Sequence, residues 1–222
     1  MDPNAAPQDP GQVMLIDKPL EWTSFDVVKK LRNKLKVKKV GHAGTLDPLA
    51  TGLLIVCSGK KTKQIEHYQG QEKEYTGQFL LGKTTPSFDL ETEVDSETDI
   101  SGLTTESILK APGQFEGWID QVPPAFSAIK VKGKRAYESA REGKELKLKS
   151  RKVEIKQFTI TSIELPYVSF KIVCSKGTYI RSLARDFGIL LGVGAHLTTL
   201  RRTRIGEFRV EDAKRIEDIK TV

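Results

Sequence analysis

Apolar residues recur along nearly the whole chain, and their spacing switches between a period of two and a period near 3.6 residues. Val13 to Ile16 reads as a short strand followed by the turn Asp17-Lys18-Pro19. Thr23 or Ser24 can cap a helix whose apolar positions include Val28, Leu31 and Leu35. A glycine-rich loop, Gly41 to Gly52, leads into a strand from Leu53 to Cys57. A short helix around Lys61 to Tyr68 precedes a strand from Glu74 to Leu81. Acidic residues then stand at every odd position from Asp89 to Asp99, the pattern of a solvated loop or edge strand. Thr104 to Leu109 reads as helical. The stretch from Gln121 to Glu145 reads as a protruding arm: a Pro-rich entry, a strand from Phe126 to Val131, a turn at Lys132-Gly133-Lys134 and a basic helix around Ala136 to Arg141. Two β-rich runs follow, Val153 to Leu165 and Val168 to Ser175. An amphipathic helix from Tyr179 to Leu191, a strand across His196 to Arg202 and a terminal helix from Glu211 complete the prediction.

Strands outnumber helices and do not alternate with them regularly, which predicts an α+β fold rather than a doubly wound parallel sheet. Residues 1–11 read as a flexible tail and residues 12–222 as one domain with an insertion at about 121–150. No apolar stretch approaches the ~18 residues of a membrane span, and the polar, Pro-rich start does not resemble a signal peptide. A cytoplasmic protein is expected. Cys57 and Cys174 lie in apolar runs without neighbours at metal-ligand spacing, so both read as buried free thiols.

Charge adds a partner class. Thirty-six basic residues against twenty-nine acidic ones give a net charge of +7. The basic residues cluster: seven between Lys29 and Lys39 with no acid among them, eleven between Lys130 and Lys156, and Arg201, Arg202, Arg204 and Arg209 near the C-terminus. Such clusters suit a polyanion laid across a surface, although lysines also serve simply to keep a face wet.

The segment GHAGTLDPLATG, residues 41–52, packs glycines, a histidine, a proline and one carboxylate between a basic helix and an apolar strand. An Asp before Pro is ordinarily a turn residue. This segment, however, resembles the catalytic loop of the TruB family, the bacterial tRNA pseudouridine-55 synthases. LIDKPLEWTSFDVV resembles that family's N-terminal motif, KEYTGQFLLG its central strand, and QVPPAFSAIKVKGKRAYESAREG its RNA-gripping insertion; SKGTYIRSLARDFG and AHLTTLRRTRIGEF resemble its last two motifs. The matches run in the family's order from about Val13 to Phe208.

The resemblance implies a pseudouridine synthase fold, a mixed and mostly antiparallel sheet flanked by helices and loops. It makes Asp47 the catalytic carboxylate, Tyr75 the tyrosine that stacks on the target base and a candidate for a late proton transfer, and Arg181 the arginine that pairs with the carboxylate. It assigns His42 to extrusion of the target, Tyr179 and Leu200 to the uridine pocket, and Lys18 and Pro19 to a motif packed near it. Read without the family, Tyr75 is an ordinary half-buried tyrosine, Arg181 a helix residue facing Asp186 or solvent, and His42 a turn histidine. The implied reaction breaks a C–N glycosidic bond and forms a C–C bond without net redox change, which calls for an ionised carboxylate and for no cofactor or metal. The implied substrate is the T-stem-loop of transfer RNA, with uridine 55 flipped out of its stack and a possible contribution to tRNA folding. A monomer without an obligate protein partner is expected, as a short form without the C-terminal PUA domain that many family members carry. Two rivals remain at this point, the guide-RNA-dependent synthases related to dyskerin and a pure RNA-folding protein. Zinc-dependent base deamination is not among them, since the H-x-E and P-C-x-x-C patterns are missing from the sequence.

Overall fold

A computed structural model of the protein describes residues 10–127, 129–131, 133–142 and 148–220. The N-terminal tail and several positions of the predicted arm lie outside these. The chain forms two compact units, one from residues up to Tyr75 together with Leu200 onwards, the other from Thr76 to Thr199.

In the first unit, β1 (Val13–Lys18) leads into α1 (Ser24–Leu35). Thr23 caps the helix through a capping box: its side chain accepts from the Asp26 amide while the Asp26 carboxylate accepts from the Thr23 amide. Lys36, at φ 51°, ends it. Val27, Leu31 and Leu35 point inward onto Met14, Ile16, Leu54 and Val56. After β2 (Val40–Ala43) and β3 (Ala50–Ser58) come a 3-10 turn, Gly59–Gln64, and α2 (Ile65–Gly70). Strand β3 is buried along almost its whole length because both faces are covered: Leu54 and Val56 face α1, whereas Leu53, Ile55 and Cys57 pack with Ala43, Ile205 and Val210. That two-sided burial explains why LLIVC is a continuous apolar run rather than an alternating one.

Strand β4 (Lys73–Leu81) carries the chain into the second unit. There β5 (Lys83–Thr84) pairs with β6 (Ser96–Glu97), α3 (Thr105–Lys110) follows, and β7 (Gly117–Gln121) lies beside the later β10. A two-residue pair, β8 (Lys130–Val131) and β9 (Lys134–Arg135), precedes α4 (Ala136–Arg141). The long strands β10 (Arg151–Glu164) and β11 (Tyr167–Cys174) are antiparallel. Phe79, Phe115, Phe158, Phe170 and Phe187 fill the core, with ring centroids 4.3 to 6.3 Å apart in the contacting pairs. Phe187 comes from α5 (Ile180–Leu190), whose buried face also carries Ile180, Leu183 and Ala184.

Strand β12 (Ala195–Ile205) returns to the first unit, where it runs parallel to β3 and then pairs with β13 (Phe208–Arg209). In parallel register Leu200 stands opposite Ala50, and Arg202 opposite Gly52. The fold is thus α+β with mostly antiparallel strands, as expected.

Three expectations change. The glycine-rich loop is shorter than the sequence suggests, because Val40–Ala43 and Ala50–Ser58 extend as strands and leave residues 44–49 as the connection. The strand Gly117–Gln121 was not foreseen: exposed Trp118 and Asp120 give it no apolar alternation. The terminal helix does not form. Beyond the short turn Val210–Asp212, the chain is drawn along β1 instead, with Lys214 N donating to Leu15 O at 2.9 Å and its carbonyl accepting from Asp17 N at 3.0 Å. Ile216 is buried against α1, and Lys34 Nζ caps the Ile216 and Glu217 carbonyls. Backbone pairing to an open strand edge outweighs the marginal stability of a short helix, even one of good helix formers such as Glu, Ala, Lys and Arg.

Gly52 makes the β3–β12 contact possible. Its φ is +100°, and a Cβ there would lie 2.3 Å from the Arg202 carbonyl oxygen and 2.8 Å from its nitrogen. Gly52→Ala should cost on the order of 3 kcal/mol. Gly70→Ala, where a Cβ meets nothing within 4 Å, should stay within about 0.5 kcal/mol of wild type. Denaturant midpoints check both; equal effects would contradict the packing argument.

Candidate active site

Asp47 sits at the first position of a turn closed by Ala50 N donating to Asp47 O at 3.1 Å, with Pro48 next in line, where its fixed φ suits the turn. The loop around it is anchored on several sides. Ser24 Oγ accepts from Leu46 N at 2.9 Å and donates to Leu46 O at 3.1 Å. The Pro48 carbonyl accepts from Glu21 N at 2.9 Å and from Lys18 Nζ at 3.3 Å. Gly44, at φ +89°, turns its carbonyl toward Arg202, which donates to it from Nη2 at 3.1 Å. Leu46 is buried beneath, while Asp47 stays half-exposed. The backbone that carries Asp47 is therefore held by β1, α1 and β12.

Lys18 explains itself through this arrangement. It is fully buried, and its ammonium also donates to the carbonyls of Pro19 at 2.9 Å and Trp22 at 2.5 Å. Burial lowers its pKa to about 8, with the Asp47 carboxylate pulling the other way and Arg202 adding to the fall. Pro19 beside it is exposed. His42, on β2 opposite Val56, is half-buried, with Nδ1 enclosed and no hydrogen bond of good geometry. Burial first and Arg202 second lower its pKa, against a small opposing pull from the Gly44 backbone. Both effects favour the uncharged imidazole. Tyr75 is buried near the start of β4, and Leu200 is half-buried opposite Ala50. Lys18, His42, Asp47, Tyr75 and Leu200 thus all belong to the first unit.

Tyr179 and Arg181 belong to the second. Tyr179 caps α5 and is held by the buried Gln121 through Tyr179 N to Oε1 at 2.8 Å and Nε2 to Tyr179 O at 3.1 Å. The Arg151 guanidinium lies over its ring at 4.5 Å. Arg181 is buried, donating to Phe126 O at 2.9 Å and Ser87 O at 3.3 Å, with Asp89 Oδ2 3.5 Å away. Asp186 faces Arg185 instead.

Asp89 corrects the picture of residues 89–99 as uniformly solvated. It is buried, unlike the exposed acids at 91, 93, 95, 97 and 99. Phe88 at φ +63° turns the chain there, and the Ser87 and Thr85 hydroxyls both donate to the Asp89 carbonyl. An alternating pattern of acids conceals such a residue, because only the burial of Arg181 creates the demand for it.

The C-terminal basic cluster is also reassigned. Arg202 is 1% exposed. Arg201 is bidentate to Asp17, and Arg204 pairs with Glu72 and Glu74. Of the four, Arg209 alone faces solvent unpaired among the described contacts. The α1 cluster keeps its character: Lys29, Lys30, Arg32, Lys36, Lys38 and Lys39 are exposed. In the predicted arm, Arg141 pairs with Glu91, while several lysines lie outside the described residues. No group of acidic, histidine and cysteine side chains suited to a metal ion occurs among the described residues. Among those residues, too, no helix is long and apolar enough to cross a membrane.

Lys18 gives a pH signature. It titrates near 8 when folded against 10.5 unfolded, so between those values the unfolded chain holds the extra proton and stability rises with pH. The cost of burying the charge is complete below pH 8 and fades toward pH 10.5. Comparing wild type with Lys18→Met by denaturant midpoint, we expect the difference to move in favour of the wild type as pH rises through this window. A difference independent of pH would contradict it.

Comparison with known proteins adds relatives. Residues 32–180 match the model of the TruB family pseudouridylate synthase N-terminal domain, and residues 181–222 that of the tRNA pseudouridylate synthase B C-terminal domain. The tRNA pseudouridine synthase B of Flavobacterium johnsoniae is 56% identical over 91% of this chain and 92% of its own length. That of Parabacteroides distasonis is 53% identical over 94% and 92%. Among solved structures, Cbf5 in a Cbf5-Nop10-Gar1 complex matches with a TM-score of 0.73 and 32% identity over 93% of this chain. The match spans about half, 52%, of that longer chain.

Proposed function

The chain belongs to the TruB family of pseudouridylate synthases, and on that premise we propose that it isomerises uridine 55 in the T-loop of transfer RNA to pseudouridine. The observation that carries this reading is the near full-length likeness to tRNA pseudouridine synthase B enzymes, with GHAGTLDPLATG forming the anchored loop described above. The enzyme is an isomerase. Asp47 is its catalytic carboxylate, acting as nucleophile or charge stabiliser while the glycosidic bond breaks and the base is rejoined through carbon. A neutral His42 suits a residue that enters an RNA loop by contact rather than by charge. Tyr75 offers the flipped base a platform, and stacking of that kind returns ~1–3 kcal/mol of the cost of unstacking. Tyr179 and Leu200 line the uridine pocket, and Arg181 is the basic partner of the carboxylate. Lys18 serves by holding the Pro48 carbonyl, and so the loop, rather than by touching RNA.

Exposed lysines at the end of α1 supply electrostatic grip. The protein acts on its substrate as a monomer in the cytoplasm, without a partner subunit, and both units work as one catalytic domain. It also assists tRNA folding by gripping the T-arm.

Mapping pseudouridine in an unmodified transcript tests the reading. Wild type should modify position 55, while Asp47→Ala should bind the same RNA and form no product. Binding by wild type without isomerisation would overturn it. Replacing Lys36, Lys38 and Lys39 together by Gln should weaken binding and reduce the slope of log affinity against log salt by roughly 2 to 3. An unchanged slope would remove the end of α1 from the RNA surface.

A further inference from the structure

Arg202 is the largest fully buried side chain of the protein's described residues and has no role in the reading above. We infer that Arg202 is a positioning residue that clamps the start of the Asp47 loop to strand β3. Its Nε donates to Leu53 O at 2.7 Å, within β3, and its Nη2 to Gly44 O at 3.1 Å, at the loop's start. One rigid guanidinium thus ties together two backbone points nine residues apart, with the carboxylate between them. The planar fork makes this possible, since a lysine ammonium presents no second arm at fixed spacing.

The placement of Arg202 is itself over-determined. Parallel register sets it opposite Gly52, where the backbones approach too closely for any side chain on β3. A Cβ on Gly44 would stand 3.6 Å from Nη1, so the guanidinium lies directly against the loop's first turn. Arg201 beside it turns the other way, to Asp17.

Charge supplies a second consequence. Lys18 is attracted by Asp47 and repelled by Arg202, so Lys18 lies within electrostatic range of both the loop's carboxylate and the Arg202 guanidinium. The same positive charge disfavours protonation of His42. Arg202 therefore holds the loop's shape and adds to the burial that lowers the pKa of the nearby His42 on β2. The inference rests on Asp47 being the catalytic carboxylate.

Arg202→Lys and Arg202→Gln in the full chain test it, with Asp47→Ala in parallel. Arg202→Lys keeps the charge but loses one of the two ties. With folding verified by circular dichroism, kcat on a tRNA transcript should fall roughly 10- to 100-fold, the scale of a misplaced reacting group, while KM and RNA binding stay within about twofold. A wild-type kcat, or a loss confined to KM, overturns the clamp. Arg202→Gln removes the charge, and an NMR titration of His42 should then show its pKa raised relative to wild type, whereas Arg202→Lys should leave it unchanged. A His42 titration unaltered in Arg202→Gln overturns the electrostatic part. Should Arg202→Gln fail to fold, the kcat of Arg202→Lys still decides the clamp. If Asp47→Ala retains activity, the reading of the loop itself falls, an outcome separate from either result at Arg202.

Discussion

A short loop can present a carboxylate at a fixed place only if its own backbone groups are already satisfied. In this protein that constraint governs the first unit. The amide and carbonyl of Leu46 are taken by Ser24, the Pro48 carbonyl by Lys18 and Glu21, and the Gly44 carbonyl by Arg202. The partners come from β1, the turn after it, α1 and β12, so these elements must be in register before residues 44–49 take their shape. The price is two buried cations, which an unpaired interior would not tolerate. Both are met by carbonyl oxygens, those of Pro19, Trp22 and Pro48 at Lys18 and those of Leu53 and Gly44 at Arg202.

The sequence was most legible where one physical demand dominates. The helix cap at Thr23, the inward Val28, Leu31 and Leu35, and the apolar strand over Leu53–Cys57 follow from local spacing and polarity alone. Identity of the loop came from its likeness to a family, since spacing cannot tell a catalytic Asp-Pro from a turn. Elements fixed by long-range pairing were the ones missed. Gly117–Gln121 is a strand because β10 offers it partners, and the segment after Asp212 is extended because β1 has an open edge.

Charged residues divide along the same line. A run of basic positions looks alike on paper whether its members reach solvent or hold the interior together. On α1 they are exposed, whereas Arg201, Arg202 and Arg204 are consumed by Asp17, by backbone carbonyls and by Glu72 and Glu74. Asp89 is the mirror case, a buried acid concealed in an exposed acidic stretch and paired with Arg181. Net charge thus states how much electrostatic grip is available only after these structural pairs are subtracted.

The central claim is that the loop bearing Asp47 is formed before RNA arrives. Amide hydrogen exchange of the RNA-free protein measures this directly at Leu46 and Ala50, whose N–H groups are held by Ser24 Oγ and by the Asp47 carbonyl. The account predicts that both are protected, with Leu46 exchanging as slowly as the neighbouring amides of β3. Exchange of Leu46 and Ala50 at the rate of an unstructured peptide, with β3 still protected, would contradict it.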